Sequence, residues 1–399
     1  MTDQTHAAAP DLEAAWRDSA SALRAGRPAE ALDQLHRITA SGQANTVVWL
    51  AVAMIHRTLG ERPAEFAALQ QVLALDPRDL RGLIMTGDHH AGGGDTRAAS
   101  AYYQAALEIA AAAPQADPGL RAELDRARVA IRQIASGYEA HLLRELGGRG
   151  LERPEARRVR RSLDLLLGKS EVYLQQPRHY YFPELANIGY AEREAFPWMD
   201  RVEAATDDIR GELLRVLEED GAFAPYIEPE PNRPQFADNP LSGNPAWSAF
   251  YLWKGGSPQP QNLARCPSVM AALEDAPLCR IPGRTPSILF SLLRPGAHIA
   301  PHHGFTNARY ICHLPLVVPE GCAMRVGAET RAWVEGQALA FDDSIEHEAW
   351  NHHPDRLRVV MIFDIWRPEL SQTERDLVSG LLQAVDSYGS GGPAAPWRD

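Results

Sequence analysis

A period of 34 residues runs through the first hundred residues and constrains the fold more than any other feature. Four sets of positions keep this period: Trp16, Leu50 and Ile84; Gly26, Gly60 and Gly94; Leu35, Leu69 and Tyr103; and Ile38, Val72 and Ala106. Apolar residues at helical spacing with a glycine between them predict two antiparallel helices per period. About three such pairs are expected to stack over residues 12–115, because a single pair cannot bury its own apolar face.

A 34-residue unit with a glycine near its turn and a proline after its second helix, as in LALDP, resembles the tetratricopeptide repeat. Such repeats stack into a superhelix whose concave face often binds peptides, so the resemblance implies docking of a peptide or protein substrate. The alternative is that the repeats only pack on the rest of the chain or form a dimer. Apolar residues return to helical spacing in residues 116–175, which we predict to be a helical capping or linker region. Residues 1–11 are predicted to form a disordered tail.

From Gln176 the composition changes, first to an aromatic and proline-rich stretch and then to short apolar runs with glycine and proline turns. A helix is expected from about Trp198 to Glu219, followed by a proline-rich loop over residues 224–245 that forms a lid or a binding loop. The runs ILFSLL, ARYICHLPLVV, AMRVG, TRAWV, QALAFDD and RVVMIFDIW are typical of strands. We therefore expect an α+β multidomain chain whose residues 176–399 form a double-stranded β-helix of the cupin-like jelly-roll class.

Two histidines on different predicted strands, His302 and His347, are candidate ligands for a first-row divalent metal. Iron oxygenases commonly add an acidic ligand two positions after the first histidine, but here that position is Gly304. In an extended segment Asp343 would point to the same face as His347, because strand side chains alternate. Asp343 is then expected to bind the metal or to orient a metal-bound water. His303 is expected to point away from the metal by the same alternation.

Arg358 opens the apolar run RVVMIFDIW, which has the length and β-branched content of a buried strand. An arginine at the start of such a strand needs an anionic partner if it is buried. The planar guanidinium suits a carboxylate. A dicarboxylate cosubstrate would satisfy both this arginine and the metal.

The segments PHHGFTNARYICHLPL, GCAMRVGAETRAWVEGQALAFDDSIEHEAWN and RVVMIFDIWRPEL resemble the aspartyl/asparaginyl β-hydroxylase family of iron(II)- and 2-oxoglutarate-dependent oxygenases. The resemblance covers roughly residues 180–375. It assigns roles to seven residues: His302 and His347 bind iron(II), Ser291, His313 and Arg358 bind 2-oxoglutarate, and Trp247 and Arg309 face the substrate. The chain departs from animal members at Leu289 and Ile311, where those proteins carry basic residues.

The reaction implied by the resemblance is hydroxylation of a substrate carbon with 2-oxoglutarate and O2 as cosubstrates. The expected position is the β-carbon of an Asp or Asn residue in a peptide, protein or related conjugate. Two alternatives stay open at this point. One is a halogenase-like enzyme in which Gly304 leaves room for chloride, and the other is a non-catalytic repeat and cupin scaffold.

Charge and composition restrict the partners and the compartment. A net charge of −12 gives no global electrostatic support to a nucleic-acid or anionic membrane partner. The start MTDQTHAAAPDLEAAW lacks a basic stretch followed by an apolar one, and no segment has the roughly 18 apolar residues of a membrane span. We expect a soluble cytoplasmic protein with reduced thiols, in which Cys266 and Cys279 are near enough in sequence to pair on oxidation.

Overall fold

The computed structural model describes residues 12–112, 117–219, 221–226 and 243–388, and the chain divides into two compact units after Leu167. This division falls a few residues before Gln176. The predicted tail at residues 1–11 and most of the predicted loop at 224–245 lie outside the described residues.

The first unit is helical. Its helices are α1 (Leu12–Arg24), α2 (Pro28–Ala40), α3 (Thr46–Leu59), α4 (Arg62–Leu75), α5 (Leu80–Gly92), α6 (Thr96–Ala111), α7 (Pro118–Leu146) and α8 (Arg157–Leu166), with a short 3-10 helix at Pro154–Ala156. The first helices of three successive hairpins begin at residues 12, 46 and 80, and the second helices at residues 28, 62 and 96. The predicted 34-residue repeat of paired helices is therefore confirmed.

The repeated positions have repeated structural roles. Gly26, Gly60 and Gly94 all have left-handed backbones, with φ of 70°, 75° and 82°, and each follows the first helix of its hairpin. Glycine adopts this conformation without strain, so the chain can reverse there. Trp16 and Ile84 occupy the same repeat position but differ, since Trp16 is 39% exposed and Ile84 is fully buried. No described helix precedes α1 to cover Trp16.

Helix α7 covers the last hairpin. Its Leu124 and Ala127 are buried in one apolar cluster with Ile84 and Tyr103. The Asp117 side chain accepts a hydrogen bond from the Leu120 N–H and caps the helix.

The second unit contains helices and two antiparallel sheets. Its helices are α9 (Met199–Ala204), α10 (Thr206–Leu217), α11 (Pro260–Leu263), α12 (Pro267–Ala272) and α13 (Gln372–Ser387), with a 3-10 helix at Arg193–Ala195. Its strands are β1 (Ala224–Pro225), β2 (Trp247–Lys254), β3 (Ser257–Pro258), β4 (Ile288–Leu293), β5 (His298–His302), β6 (Arg309–Val317), β7 (Cys322–Val326), β8 (Glu329–Ala332), β9 (Leu339–Phe341), β10 (His347–Asn351) and β11 (Arg358–Trp366). The expectation of one helix from about Trp198 to Glu219 is wrong in detail, because the chain breaks at Ala205 between α9 and α10.

The larger sheet has the strand order β1-β2-β4-β11-β6-β9, with β3 paired to β2, and the smaller sheet has the order β5-β10-β7-β8. The position of strand β11 between two apolar cores explains why its sequence is a continuous apolar run. Met361 and Phe363 point to a core shared with α9, α10 and α12, whereas Val360 lies in a second core with Met324 and Ala349 of the smaller sheet. A strand that is buried on both faces has no polar alternation.

A helical N-terminal region followed by an antiparallel β domain agrees with the predicted α+β class. None of the helices in the described part of the chain combines the length and the apolar character needed to cross a bilayer. Cys266, Cys279, Cys312 and Cys322 are free thiols and are buried.

Candidate active site

A cavity of about 760 Å³ in the second unit brings the predicted site residues together. All eight of them line it: Trp247, Ser291, His302, Arg309, His313, Asp343, His347 and Arg358. They come from β2, β4, β5, β6, β10, β11 and the turn before β10. Residues far apart in sequence therefore meet because strands of both sheets border one space.

His302 and His347 face each other across paired strands. His302 ends β5 and His347 begins β10, the two residues are antiparallel partners, and their ring centroids lie 4.1 Å apart. The Nδ1 atom of His302 lies 2.9 Å from the Ala300 carbonyl oxygen, and that of His347 lies 3.0 Å from the Ile345 carbonyl oxygen. If Nδ1–H donates to each carbonyl, Nε2 of each ring keeps its lone pair, which is how metal-binding histidines are commonly oriented.

Both imidazoles are held in the neutral form that metal coordination requires. Burial lowers the pKa of His302. Burial, and then the neighbouring His302, lower the pKa of His347 well below its ordinary value. Protons therefore compete weakly for these two rings at neutral pH.

Asp343 enters the cavity from a turn and not from a strand. The Ile345 N–H donates to the Asp342 carbonyl oxygen at 3.2 Å, and β10 begins only at His347. The prediction that Asp343 belongs to an extended segment is therefore wrong, because this turn interrupts strand alternation, although its side chain does line the cavity. The prediction that His303 points away from the site by strand alternation does not apply either, because His303 lies beyond the end of β5. His303 lines the same cavity.

The Asp343 carboxylate lies beside Gly304. A Cβ atom at position 304 would be 1.9 Å from Oδ2 of Asp343, which is far inside any permitted contact. The Gly304 N–H also donates to the Asp343 carbonyl oxygen at 2.6 Å. Oδ1 of Asp343 is buried and has no hydrogen-bond partner among the described residues.

Arg309 is held between two carboxylates. Its Nη2 lies 3.1 Å from Oδ2 of Asp343, and its Nη1 lies 2.8 Å from Oδ2 of Asp364. Burial opposes the charge of Arg309, but the two carboxylates outweigh it and raise the pKa of this guanidinium. The guanidinium predicted to meet the substrate thus already has two carboxylate partners within the protein.

Arg358 is different, because no described carboxylate pairs with it. The residue is 2% exposed, and its guanidinium lies 4.8 Å from the centroid of the Trp333 ring and donates from Nη1 to the Ser291 carbonyl oxygen at 3.4 Å. Nε has no described partner, and burial lowers the pKa of Arg358 to about 10. A buried cation without an anion is costly, so this position fits an anionic ligand.

His313 lies close to Arg358. Its ring is 6.0 Å from that of Trp333 and 5.1 Å from that of Phe341, and its buried Nδ1 has no partner among the described residues. Burial, and then the charge of Arg358, lower the pKa of His313 to about 3. The neutral ring therefore offers one further polar group at the Arg358 end of the cavity.

Among the described residues, no set of three or more His, Cys, Asp or Glu side chains is arranged to hold a metal ion. The donor set is two imidazoles with the Asp343 carboxylate nearby.

Three residues of the site were not predicted. Tyr226 stacks on Trp247 with ring centroids 4.0 Å apart, and Arg178 lines the cavity near His302. Asp364 was missed although its signal was present, since a carboxylate inside the apolar run RVVMIFDIW requires a buried cation. No sequence signal pointed to Arg178.

Residues 203–368 match the family described as aspartyl/asparaginyl beta-hydroxylase, which confirms the resemblance drawn from the sequence motifs. The ornithine lipid ester-linked acyl 2-hydroxylase of Rhizobium tropici is 35% identical over 195 residues, which cover 47% of this chain and 63% of that protein. The aspartyl/asparaginyl beta-hydroxylase of Mus musculus is 38% identical over 172 residues, which cover 42% of this chain and 21% of that protein. The chain thus spans less than two thirds of the length of these relatives.

Among solved structures, PcrH from Pseudomonas aeruginosa aligns with 31% of this chain and 90% of its own chain, at 18% identity and a TM-score of 0.28.

Proposed function

From the match of residues 203–368 to the aspartyl/asparaginyl β-hydroxylase family, we propose that the chain is an iron(II)- and 2-oxoglutarate-dependent hydroxylase with a double-stranded β-helix domain. The observation that carries this proposal is the buried, unpaired Arg358 in the same cavity as the His302 and His347 pair. A cosubstrate with a carboxylate at each end matches these two features, because one end can reach a metal while the other neutralises a guanidinium.

Bound iron(II) would supply the oxygen-activating redox chemistry, and the protein's own residues would supply orientation and exclusion of water. His302 and His347 would hold the metal through Nε2, with each ring fixed by the contact of Nδ1 with a backbone carbonyl. The unpartnered Oδ1 of Asp343 would accept a hydrogen bond from a water beside the metal. The ion pair with Arg309 would hold this carboxylate in place.

The far carboxylate of 2-oxoglutarate would pair with Arg358, with Ser291 and neutral His313 as further polar contacts. The Ser291 hydroxyl already accepts a hydrogen bond from Nε1 of Trp247 at 3.1 Å, which fixes its position. Apolar walls that include Met324 and Phe341 would keep bulk water away from this end. In such surroundings a charged hydrogen bond contributes more than it would in water.

The substrate proposal rests on chemistry that the two relatives share. The β-carbon of an Asp or Asn residue and position 2 of an acyl chain are both bonded to a carbonyl carbon. We therefore place the hydroxyl group on a carbon next to a carbonyl group, with an Asp or Asn residue of a peptide, protein or related conjugate as the first class to test. Peptide docking by the helical repeats and a cytoplasmic location stay predictions.

The relatives that match this chain favour hydroxylation over halogenation, because both are named hydroxylases. The scaffold alternative is disfavoured by the buried polar groups that would have no purpose without ligands, namely Arg358, His313 and Asp343.

The proposal is tested by succinate formation from 2-oxoglutarate by the iron-loaded full chain, with Asp and Asn peptides and simple acyl amides as substrate pools. We expect iron-dependent succinate formation, stimulated by a pool in which a product gains the mass of one oxygen atom. His302→Ala should abolish this turnover, and His352→Ala, at an exposed histidine outside the cavity lining, is the control that should retain it. Iron-independent turnover, or equal loss in both variants, would contradict the proposal.

A further inference from the structure

A short segment from outside the matched family region forms part of the cavity wall. We call residues 175–182 the strap. The Gln175 side chain donates to Oδ2 of Asp342 at 2.7 Å, and the Phe182 N–H donates to Oδ1 of Asn307 at 2.6 Å. Between these anchors the Arg178 N–H donates to the Gly304 carbonyl oxygen at 2.7 Å. The strap is therefore fixed beside the chain that follows His302.

The Arg178 side chain faces the cavity from this fixed backbone. It lines the cavity with His302 and Gly304, and it is near enough to His302 for its charge to act on that ring. Arg178 is exposed, and none of the described acidic side chains forms an ion pair with it. An anion entering from solvent can therefore reach it.

The charges that line the cavity show why Arg178 is available. The lining contains three guanidinium groups, those of Arg178, Arg309 and Arg358, and one carboxylate, that of Asp343. Asp343 and Asp364 both pair with Arg309, and the proposed cosubstrate would pair with Arg358. The neighbouring wall residue Ile311 adds no charge. Arg178 is thus left without an anion after the cosubstrate has bound.

We propose that Arg178 binds an oxyanion of the substrate, a carboxylate or a phosphate group, at the mouth of the cavity, and that it selects anionic substrates. The guanidinium fork suits either group. Arg309 is less suited to this task, because a substrate carboxylate there would have to share it with two protein carboxylates. The assignment deepens the proposed function and rests on it for the reaction, but the binding step can be measured without turnover.

The test uses the full chain loaded with Mn(II) and 2-oxoglutarate, and calorimetric titration at low salt. The probes are N-acetyl-L-aspartate α-amide, inorganic phosphate and the neutral N-acetyl-L-asparagine α-amide. We expect at least one oxyanion probe to bind roughly tenfold more weakly to Arg178→Gln than to the wild type, since a hydrogen bond to a charged group is lost. Arg178→Lys should restore part of the affinity. The exposed Arg356→Gln should bind like the wild type, and the neutral probe should not distinguish the variants.

The two oxyanion probes distinguish a substrate carboxylate from a substrate phosphate group. Tighter binding of the aspartate amide indicates a carboxylate, and tighter binding of phosphate indicates a phosphorylated substrate. Equal oxyanion binding by Arg178→Gln and the wild type would overturn the proposal. So would the absence of oxyanion binding by the wild type. The affinity for 2-oxoglutarate is measured in the same samples. If the wild type does not bind 2-oxoglutarate, the result counts against the proposed function. If 2-oxoglutarate binds but the Arg178 substitution does not weaken oxyanion binding, the result counts against the Arg178 assignment alone.

Discussion

The Asp343 carboxylate fills the space that a side chain at position 304 would need. Its Oδ2 atom would lie 1.9 Å from a Cβ atom at that position. The glycine two residues after His302 is therefore required by the fold. A carboxylate is still present in this part of the cavity, but it comes from the turn before β10.

This contact predicts strong coupling between positions 304 and 343. Gly304→Ala should lower the free energy of unfolding by about 1–3 kcal/mol, because the new methyl group overpacks a filled site. In an Asp343→Ala background most of this cost should disappear, which a double-mutant cycle in urea measures. Gly211→Ala is the matched control, since nothing lies within 4 Å of its added Cβ. Additive effects of the two substitutions would show that the carboxylate does not fill that space.

The unpaired Arg358 predicts opposite effects on stability and on cosubstrate binding. Arg358→Met should raise the free energy of unfolding of the ligand-free protein by about 1–3 kcal/mol, because a buried cation without a partner is removed. The same variant should bind 2-oxoglutarate roughly a hundredfold more weakly, since a desolvated charge pair is lost. Added 2-oxoglutarate should raise the melting temperature of the wild type more than that of the variant. A variant that is less stable and still binds 2-oxoglutarate normally would contradict this account.

Arg309 is expected to act mainly on the protein's own carboxylates. Arg309→Met should lower the free energy of unfolding by about 3–5 kcal/mol, because Asp343 and Asp364 are left buried without their cation. Arg178→Met, in the same cavity but on an exposed side chain, should change it by less than about 0.5 kcal/mol. Denaturant unfolding of the two variants separates these roles. Similar stabilities would mean that the two ion pairs of Arg309 contribute little.

The lowered pKa of His313 predicts a pH dependence of stability in the metal-free protein. Above about pH 6.5 the ring is neutral in both the folded and the unfolded chain. As the pH falls from 6.5 toward 3, the unfolded chain binds a proton that the folded chain does not, so stability is lost, by about 2 kcal/mol at pH 5.

The pH effect is checked by unfolding at pH 7.5 and pH 5 in the presence of a chelator. His313→Gln should weaken the dependence on pH, whereas the surface substitution His352→Gln should keep it. An unchanged dependence in His313→Gln would show that the buried ring is not the source.

The repeat architecture could be predicted well because it depends on local sequence. The 34-residue period fixed the helix starts, and the left-handed conformations of Gly26, Gly60 and Gly94 follow from chain reversal. The exposure of Trp16 could not be predicted from the period, since burial depends on which helices surround a position. Its equivalent Ile84 is fully buried in a cluster that includes Tyr103 of α6 and Leu124 of α7.

The sequence predicted which residues line the candidate site, but not how all of them are arranged. Family motifs pointed to His302, His347 and Arg358, and the cavity contains all three. Strand alternation failed for Asp343 and His303, because a turn precedes β10 and β5 ends at His302. The partners of Arg309 and the strap that carries Arg178 depend on contacts between distant segments, which no local pattern encodes.

The most direct test of the central claim is an anaerobic titration of 2-oxoglutarate into the iron(II)-loaded protein, followed by the visible absorption of the iron(II) keto-acid chelate. We predict that the absorption saturates at one equivalent in the wild type and in the exposed-site control His352→Ala, and that it is absent in His302→Ala and in His347→Ala. Absorption that persists in either ligand variant, or that is missing from the wild type at saturating iron and 2-oxoglutarate, would contradict the account.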